Sequence, residues 1–328
     1  MVDFDKKNIR SWSLLGIAPS IFINAVTDVM ERDEDTYLMT ADTGRYCGFQ
    51  KIKQELSDRI VNVGIAEQNM IGIAAGMALE GKKVFCTTYA PFLIFRAADQ
   101  VRHLVGNCNL NIKLIGTAAG FSAAASGSAL LAVNDISLAR AIPNLTVLSP
   151  ADCTEAMKMV LAMQNIDGPV YMRFCGLTNL PIVYKDDFDY AIGKPNILVK
   201  GDKIALLATG TTVVAEAKKA AEMICRECGI KPTVVDIHTI KPLDEEFICK
   251  IAERHKYIFT LEEHSVVGGL GSSVCEVLTE IPIRDVRVIL VGIEDRIYKS
   301  GNRSYMLEQC GLTAELISKK VIRELLGE

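Results

Sequence analysis

The sequence predicts an α/β protein of two domains, each a mostly parallel sheet with helices on both faces. Three observations carry this prediction. At 328 residues and 49% hydrophobic content, the chain is too long for one ordinary core and long enough to bury two. Short apolar runs alternate with amphipathic runs along nearly its whole length, as they do when strands are buried on both faces. The rhythm breaks once, at 182–198 (IVYKDDFDYAIGKPNIL), where charges, aromatics and a Gly-Lys-Pro interrupt it. The expected division is a first domain over 1–182, a connector over 183–198 and a second domain over 199–328.

In the first domain the expected strands are TYLMTAD (36–42), RIVNVG (59–64), KVFCTTY (83–89), IKLIGT (112–117), LTVLSP (145–150) and VYMRF (170–174). Helical patterns lie between them: SIFINAVTDVMERD, AEQNMIGIAAGMALEG, PFLIFRAADQVRHLV, DISLARAIP and DCTEAMKMVLAMQ. Beyond the connector a smaller alternation follows, with strands KIALLATG, PTVVDIHTI, YIFTLEE and VRVILVGI. Its helices are TVVAEAKKAAEMICREC, DEEFICKIAERH, SSVCEVLTEI and the closing TAELISKKVIRELL.

Composition excludes several function classes. The net charge is −4 and the basic residues are scattered, so there is no electrostatic footprint for nucleic acid or anionic lipid. The uncharged stretch 114–134 is mostly Ala, Gly, Ser and Thr, too weakly hydrophobic for a membrane span. The polar N-terminus has no apolar signal region, and most of the ten cysteines sit singly in apolar or amphipathic runs, so a cytoplasmic location is expected.

Glu67 in VGIAEQNM is the one carboxylate before a run, IGIAAGMALEG, with no further charge until Glu80. A carboxylate in the first turn of a helix is favourable in itself. Here, however, the helix carries Gly72, Ala74, Ala75, Gly76 and Ala78, so another backbone could approach closely and desolvate the acid, raising its pKa towards a proton donor's. Further on, Tyr89, Phe92 and Phe95 recur at spacings of three around Pro91, at a strand end and the start of a helix. Such spacing also suits a core stripe. At the carboxyl edge of a parallel sheet, it suits a ligand slot.

Taken together, NVGIAEQNMIGIAAGMALEG, TYAPFLIFRAADQVR, ARAIPNLTVLSPAD, TIKPLD and EEHSVVGGLGSSV resemble, in order, the C-terminal half of transketolase, from about Trp12 to the end. The resemblance implies a transferase of carbohydrate metabolism that uses thiamine diphosphate and Mg2+. It also implies a pyrimidine-binding domain followed by a transketolase C-terminal domain. No GDG metal motif is present, so the diphosphate and Mg2+ are expected on a separate N-terminal subunit. Two copies of each chain would form an α2β2 heterotetramer around a homodimer of this one. Glu67 would hydrogen-bond the aminopyrimidine ring and drive its amino group towards the imino base. Phe92 would stack on that ring, with Tyr89, Phe95 and Ile65 lining the pocket and Asp42 and Thr43 reaching it from the TADTG loop. Arg173 would pair with a substrate phosphate, unless it is a solvated strand-end arginine.

The pattern departs from the family in one place. Where relatives carry a substrate-handling histidine after GFS, this chain has GFSAAASGSALLAVNDI, with Leu130 and Leu131 at the expected site and Ala118, Ala123, Ala124 and Ser126 upstream. The four histidines, His103, His238, His255 and His264, all lie elsewhere in the sequence. Three readings follow: an unusual acceptor such as a nucleotide-linked or unphosphorylated sugar, acid–base groups supplied by the partner, or a weakened scaffold subunit. More distant alternatives are the β subunit of a 2-oxo-acid dehydrogenase and a deoxyxylulose phosphate synthase-like enzyme. The CxxC at Cys225 and Cys228 lacks a second ligand pair for a metal. GGLGSS (268–273) reads as a strand-to-helix turn, with His264 beside it in a structural role.

Overall fold

The computed structural model describes residues 2–176, 178–280, 285–296 and 298–327, and only the backbone of 18–20. Its strands are β1 (Thr36–Thr40), β2 (Ile60–Asn62), β3 (Lys83–Tyr89), β4 (Ile112–Ala119), β5 (Thr146–Leu148) and β6 (Val170–Cys175). Then come β7 (Asn196–Val199), β8 (Lys203–Thr209), β9 (Thr233–Asp236), β10 (Thr239–Lys241), β11 (His255–Ser265) and β12 (Arg287–Ile293).

They form two sheets, ordered β10-β5-β6-β4-β3-β1-β2 and β12-β11-β8-β9-β7. Every neighbouring pair is parallel except β10 with β5 and β7 with β9. All of β4 and all of β6 are buried, as strands covered on both faces must be. One face of the first sheet packs on the helices Lys6–Leu15, Ile23–Arg32 and Cys153–Met163 through Trp12, Phe22 and Met157. On the other face, Met70, Leu93 and Val101 share a core with Leu270 and Val274 of the second unit. The second sheet is held by Val213–Cys228 and Ala314–Leu326 through Ala217, Ile224 and Ile317.

Several elements differ from the sequence expectation. PTVVDIHTI does not make one strand: β9 ends at Asp236 inside the second sheet, between β8 and β7, and β10 crosses to pair antiparallel with β5 in the first. β7 begins at Asn196, inside the stretch expected as connector. The polar N-terminus forms the helix Lys6–Leu15, capped by Asp5, whose Oδ1 accepts from Asn8 N at 2.7 Å. PFLIFRAADQVRHLV is not a plain α-helix: wide π turns run over Phe92–Arg96 and Val101–Asn107. The helix expected through Ile281 ends at Thr279, and Ile281 lies outside the described residues.

The 114–134 stretch is β4 followed by short 3-10 turns, and no helix among the described residues is long and apolar enough to cross a membrane.

Candidate functional site

In the first sheet the chain goes from β1 outward to β2, then returns across β1 to β3 and onward to β4. The connections reverse between the adjacent strands β1 and β3, and in a doubly wound sheet the carboxyl ends beside such a reversal form the ligand crevice. The loops after β1, β2 and β3 carry Asp42 and Thr43, Glu67, and Phe92, so the topology gathers residues far apart in sequence.

Glu67 is the first residue of the helix Glu67–Leu79, behind Ala66, which offers no capping oxygen. Its side chain is 2% exposed, and its partner is Arg96, whose Nη1 donates to Oε1 at 3.0 Å and Oε2 at 2.8 Å. Arg96 is 46% exposed on its side chain and lies over the Phe92 ring, with Cζ 4.0 Å from the centroid. The Arg96 carbonyl accepts from Gln68 Nε2 at 3.1 Å, tying the π turn to the first turn of the glutamate's helix.

The aromatic side is a ladder. Tyr46 stands 5.9 Å from Tyr89, and Tyr89 stands 5.9 Å from Phe92 with planes tilted by 33°. Desolvation raises the Tyr89 pKa, as do Tyr46 and Cys47 beside it. Phe95 is not a rung. Its half-buried ring packs against Ala90, Ala119, Ala132 and Cys175. The wider π turn rotates residue i+3 away from residue i, so the spacing of three that groups Phe92 with Phe95 fails here. Tyr46, not foreseen from the sequence, takes the outer place instead.

Asp42 is exposed at φ +59°, and its Oδ1 accepts from Asn62 Nδ2 while Asn62 Oδ1 accepts from its N–H. This reciprocal pair fastens the β1 loop to the end of β2. Thr43 is buried: its N–H donates to Thr40 Oγ1, and its Oγ1 lies 3.1 Å from the same atom. Ile65 projects outward, 77% exposed, with Ile73 and Leu79 also exposed on the next helix. Along that helix, a Cβ built on Gly72 or Gly76 meets nothing within 4 Å.

Arg173 is not a solvated strand-end arginine: it is buried, with Nε donating to Asp135 Oδ2 at 2.8 Å and Nη2 to the Ala132 carbonyl at 3.0 Å. Nη1 and Nη2 also reach the carbonyl of Glu263 in the second unit. Burial works against its charge, but Asp135 alongside outweighs this and the pKa is raised. Leu130 sits half-buried in the short turn Ser128–Leu130.

His264 is buried, with Nε2 accepting from Ile136 N–H at 3.1 Å and Nδ1 against the Ser265 carbonyl at 2.7 Å. Burial lowers its pKa to about 4, so it remains neutral and structural. At GGLGSS the helix N-terminus is filled by the chain's own Glu262, which accepts from Leu270 and Gly271 N–H at 2.7 and 2.9 Å. Burial raises that carboxyl to about 7. Cys225 and Cys228 are exposed thiols, and no group of three or more potential metal ligands occurs among the described residues.

The strand orders define a chain of two doubly wound units, with the connections of the first reversing between β1 and β3. The family model of the transketolase pyrimidine-binding domain matches residues 20–176, and that of the transketolase C-terminal domain matches residues 193–317. The chain belongs to the transketolase family. It is 35% identical over 297 residues to a putative transketolase C-terminal section from Methanocaldococcus jannaschii, covering 90% of this chain and 92% of that one. It is also 35% identical to one subunit of an apulose-4-phosphate transketolase from Phocaeicola vulgatus, covering 92% of this chain and 95% of that one. Among solved structures, a split-gene transketolase described as an inactive beta4 tetramer superposes with a TM-score of 0.82 at 33% identity, over 92% of this chain and 96% of that one. The resemblance read from the motifs and the two-domain α/β class both agree with these matches.

Proposed function

We propose that this chain is the C-terminal subunit of a two-chain transketolase-like transferase, moving a two-carbon ketol unit between sugars or sugar derivatives with thiamine diphosphate. One observation carries the reading: a carboxylate buried to 2% opens a helix at the sheet's switch point, beside an aromatic ladder. A buried acid within reach of a flat aromatic face fits an aminopyrimidine, which needs a hydrogen-bonding partner in its plane and a stacking surface beneath it. Thiamine diphosphate supplies, when bound, the nucleophilic carbon for ketol transfer. In this chain, Glu67 holds a ring nitrogen of the pyrimidine by hydrogen bond, Phe92 provides the stacking face, and Tyr89 and Tyr46 wall the slot. The Asp42–Asn62 pair fixes the loop that closes over it.

The diphosphate and its Mg2+ are assigned to an N-terminal partner subunit. The exposed face with Ile65, Gly72 and Gly76 supports close helix contact between chains, as in an α2β2 assembly with a homodimer of this chain at its centre. That a split-gene relative is described as an inactive beta4 tetramer supports the expectation that this chain alone does not turn over.

A second reading, a cofactor-holding subunit with weakened chemistry, is favoured by the apolar Leu130 and the small residues upstream of it. One experiment separates the two. The chain is co-purified with its partner, supplied with thiamine diphosphate and Mg2+, and assayed with ketose phosphates against a panel of free, phosphorylated and nucleotide-linked aldoses. Glu67→Leu is expected to lower ketol transfer roughly 100-fold or more and to weaken cofactor binding measured by calorimetry, with an unchanged circular dichroism spectrum. Full activity and unchanged cofactor affinity in this variant would remove Glu67 from the site.

A further inference from the structure

Arg96 holds the two partners that the aminopyrimidine would need. Its Nη1 donates to both oxygens of Glu67, and its guanidinium lies flat enough against Phe92 to bring Cζ within 4.0 Å of the ring centroid. A guanidinium is itself a planar array of N–H donors, so it matches a buried carboxylate and an aromatic face much as an aminopyrimidine does.

Tyr89, whose ring centroid stands 5.9 Å from that of Phe92, leaves too little room for a third ring between the two, since such a ring needs two van der Waals layers of roughly 3.5 Å each. Arg96 covers Phe92 while bonded to Glu67, so it lies where a pyrimidine held by that carboxylate and stacked on that ring would lie.

We infer that Arg96 is a built-in occupant of the aminopyrimidine slot, displaced when the cofactor binds. This rests on the proposed function and adds to it a competition within the chain. Geometry makes the displacement feasible. The side chain is 46% exposed, so it has solvent to swing into, while Glu67 at 2% cannot move out to follow it. The backbone of the π turn is anchored by Gln68 and stays in place as the side chain leaves. While Arg96 is in, the buried carboxylate is never left unpaired, and the cost of opening the contact lowers the apparent cofactor affinity by the fraction of molecules in which the slot is open.

The test uses the full chain with its N-terminal partner and Mg2+, titrated with thiamine diphosphate in a calorimeter. Arg96→Ala is expected to bind roughly 5- to 30-fold more tightly than wild type, the range that a contact of this strength spans. Arg96→Gln, which keeps one planar donor for Glu67 without the charge and guards against misfolding of the alanine variant, is expected to fall between them. Guanidinium ion at tens of millimolar, against an equal concentration of sodium chloride, should refill the slot in Arg96→Ala and weaken cofactor binding there while leaving wild type unaffected. Arg96→Ala binding more weakly than wild type, with Glu67→Leu also weakened, overturns the competition but leaves the proposed cofactor site standing. Glu67→Leu binding as tightly as wild type overturns both.

Discussion

Replacing Arg173 by methionine distinguishes a structural arginine from a substrate-binding one. Methionine keeps much of the length and volume but leaves Asp135 without its countercharge in a fully buried position, where Oδ2 also accepts from Tyr171 Oη at 2.6 Å. Stranding one member of a buried pair costs about 3–5 kcal/mol. Spread over the unfolding entropy of the whole chain or of its first unit alone, that is a fall in Tm of roughly 4–13 °C. Scanning calorimetry on the isolated chain measures it, and the loss should be nearly independent of salt because neither group faces solvent. Asp135→Leu alone should cost as much, and the double variant Arg173→Met/Asp135→Leu should recover roughly 2 kcal/mol or more, since it leaves no unpaired charge. A melting temperature within about 2 °C of wild type, combined with a raised KM confined to phosphorylated substrates, would refute the buried-pair account and return Arg173 to the substrate.

Three further outcomes are expected. Glu155 and Asp236 are buried side by side, desolvation raises both carboxyls, Asp236 to about 7, and Asp152 nearby is raised to about 6. The raised folded pKa of Asp236 gives stability that is full below the unfolded value near 4 and lost as pH rises through about 7, so between pH 6.5 and 8 the Tm of wild type should fall relative to that of Asp236→Asn. Buried His238 and His264, both lowered to about 4, act oppositely, costing stability as pH drops below about 6.5, and confine the test to the upper range. At Gly76, where an added Cβ meets nothing within the chain, Gly76→Ala should raise Tm slightly, by about 0.5–1 kcal/mol of helix propensity. Gly76→Leu should leave the fold intact yet block assembly with the partner on size-exclusion chromatography; normal assembly would show that no helix packs closely there.

Legibility in the sequence depends on whether the deciding interaction is local. β3 is legible to the residue, Lys83–Tyr89, because its apolar run and its flanking Gly81 and Pro91 lie within one window. Glu67 stands out because a lone acid at the head of an Ala/Gly helix is itself a local pattern. PTVVDIHTI looks like one strand because a run buried in two sheets has the same composition as a run buried in one. Nothing near it shows that His238, bonded to the Lys194 carbonyl at 2.8 Å, marks the crossing. The buried pairing of Arg173 is not legible because its partner Asp135 lies on another element, and a strand sequence looks the same whichever residue faces its end. Arg96 does leave a signal: it is the one cation in the first turns after Pro91, four residues beyond Phe92, where a side chain reaches back over the ring.

The carboxyl edge of the first sheet is divided between two uses. At β4, β5 and β6 it is bolted to the second unit: β10 pairs with β5, Arg173 reaches the Glu263 carbonyl, and Ser265 N–H donates to the Val133 carbonyl. Ser149 N–H likewise donates to the His238 carbonyl. Asp152 adds to this by accepting from Val183 and Tyr184 N–H, while Tyr184 Oη donates to Asp236. None of these contacts draws on the ends of β1, β2 or β3. The half of the edge carrying Glu67, Tyr89 and Phe92 is therefore left free of the second unit while β1 and β3 beneath it are mostly buried in the core. A rigid half-site of this kind can meet a second polypeptide without refolding, so the affinity of the pair is not spent on ordering loops. The one side chain that must move is Arg96, and it moves within a slot whose walls are already built.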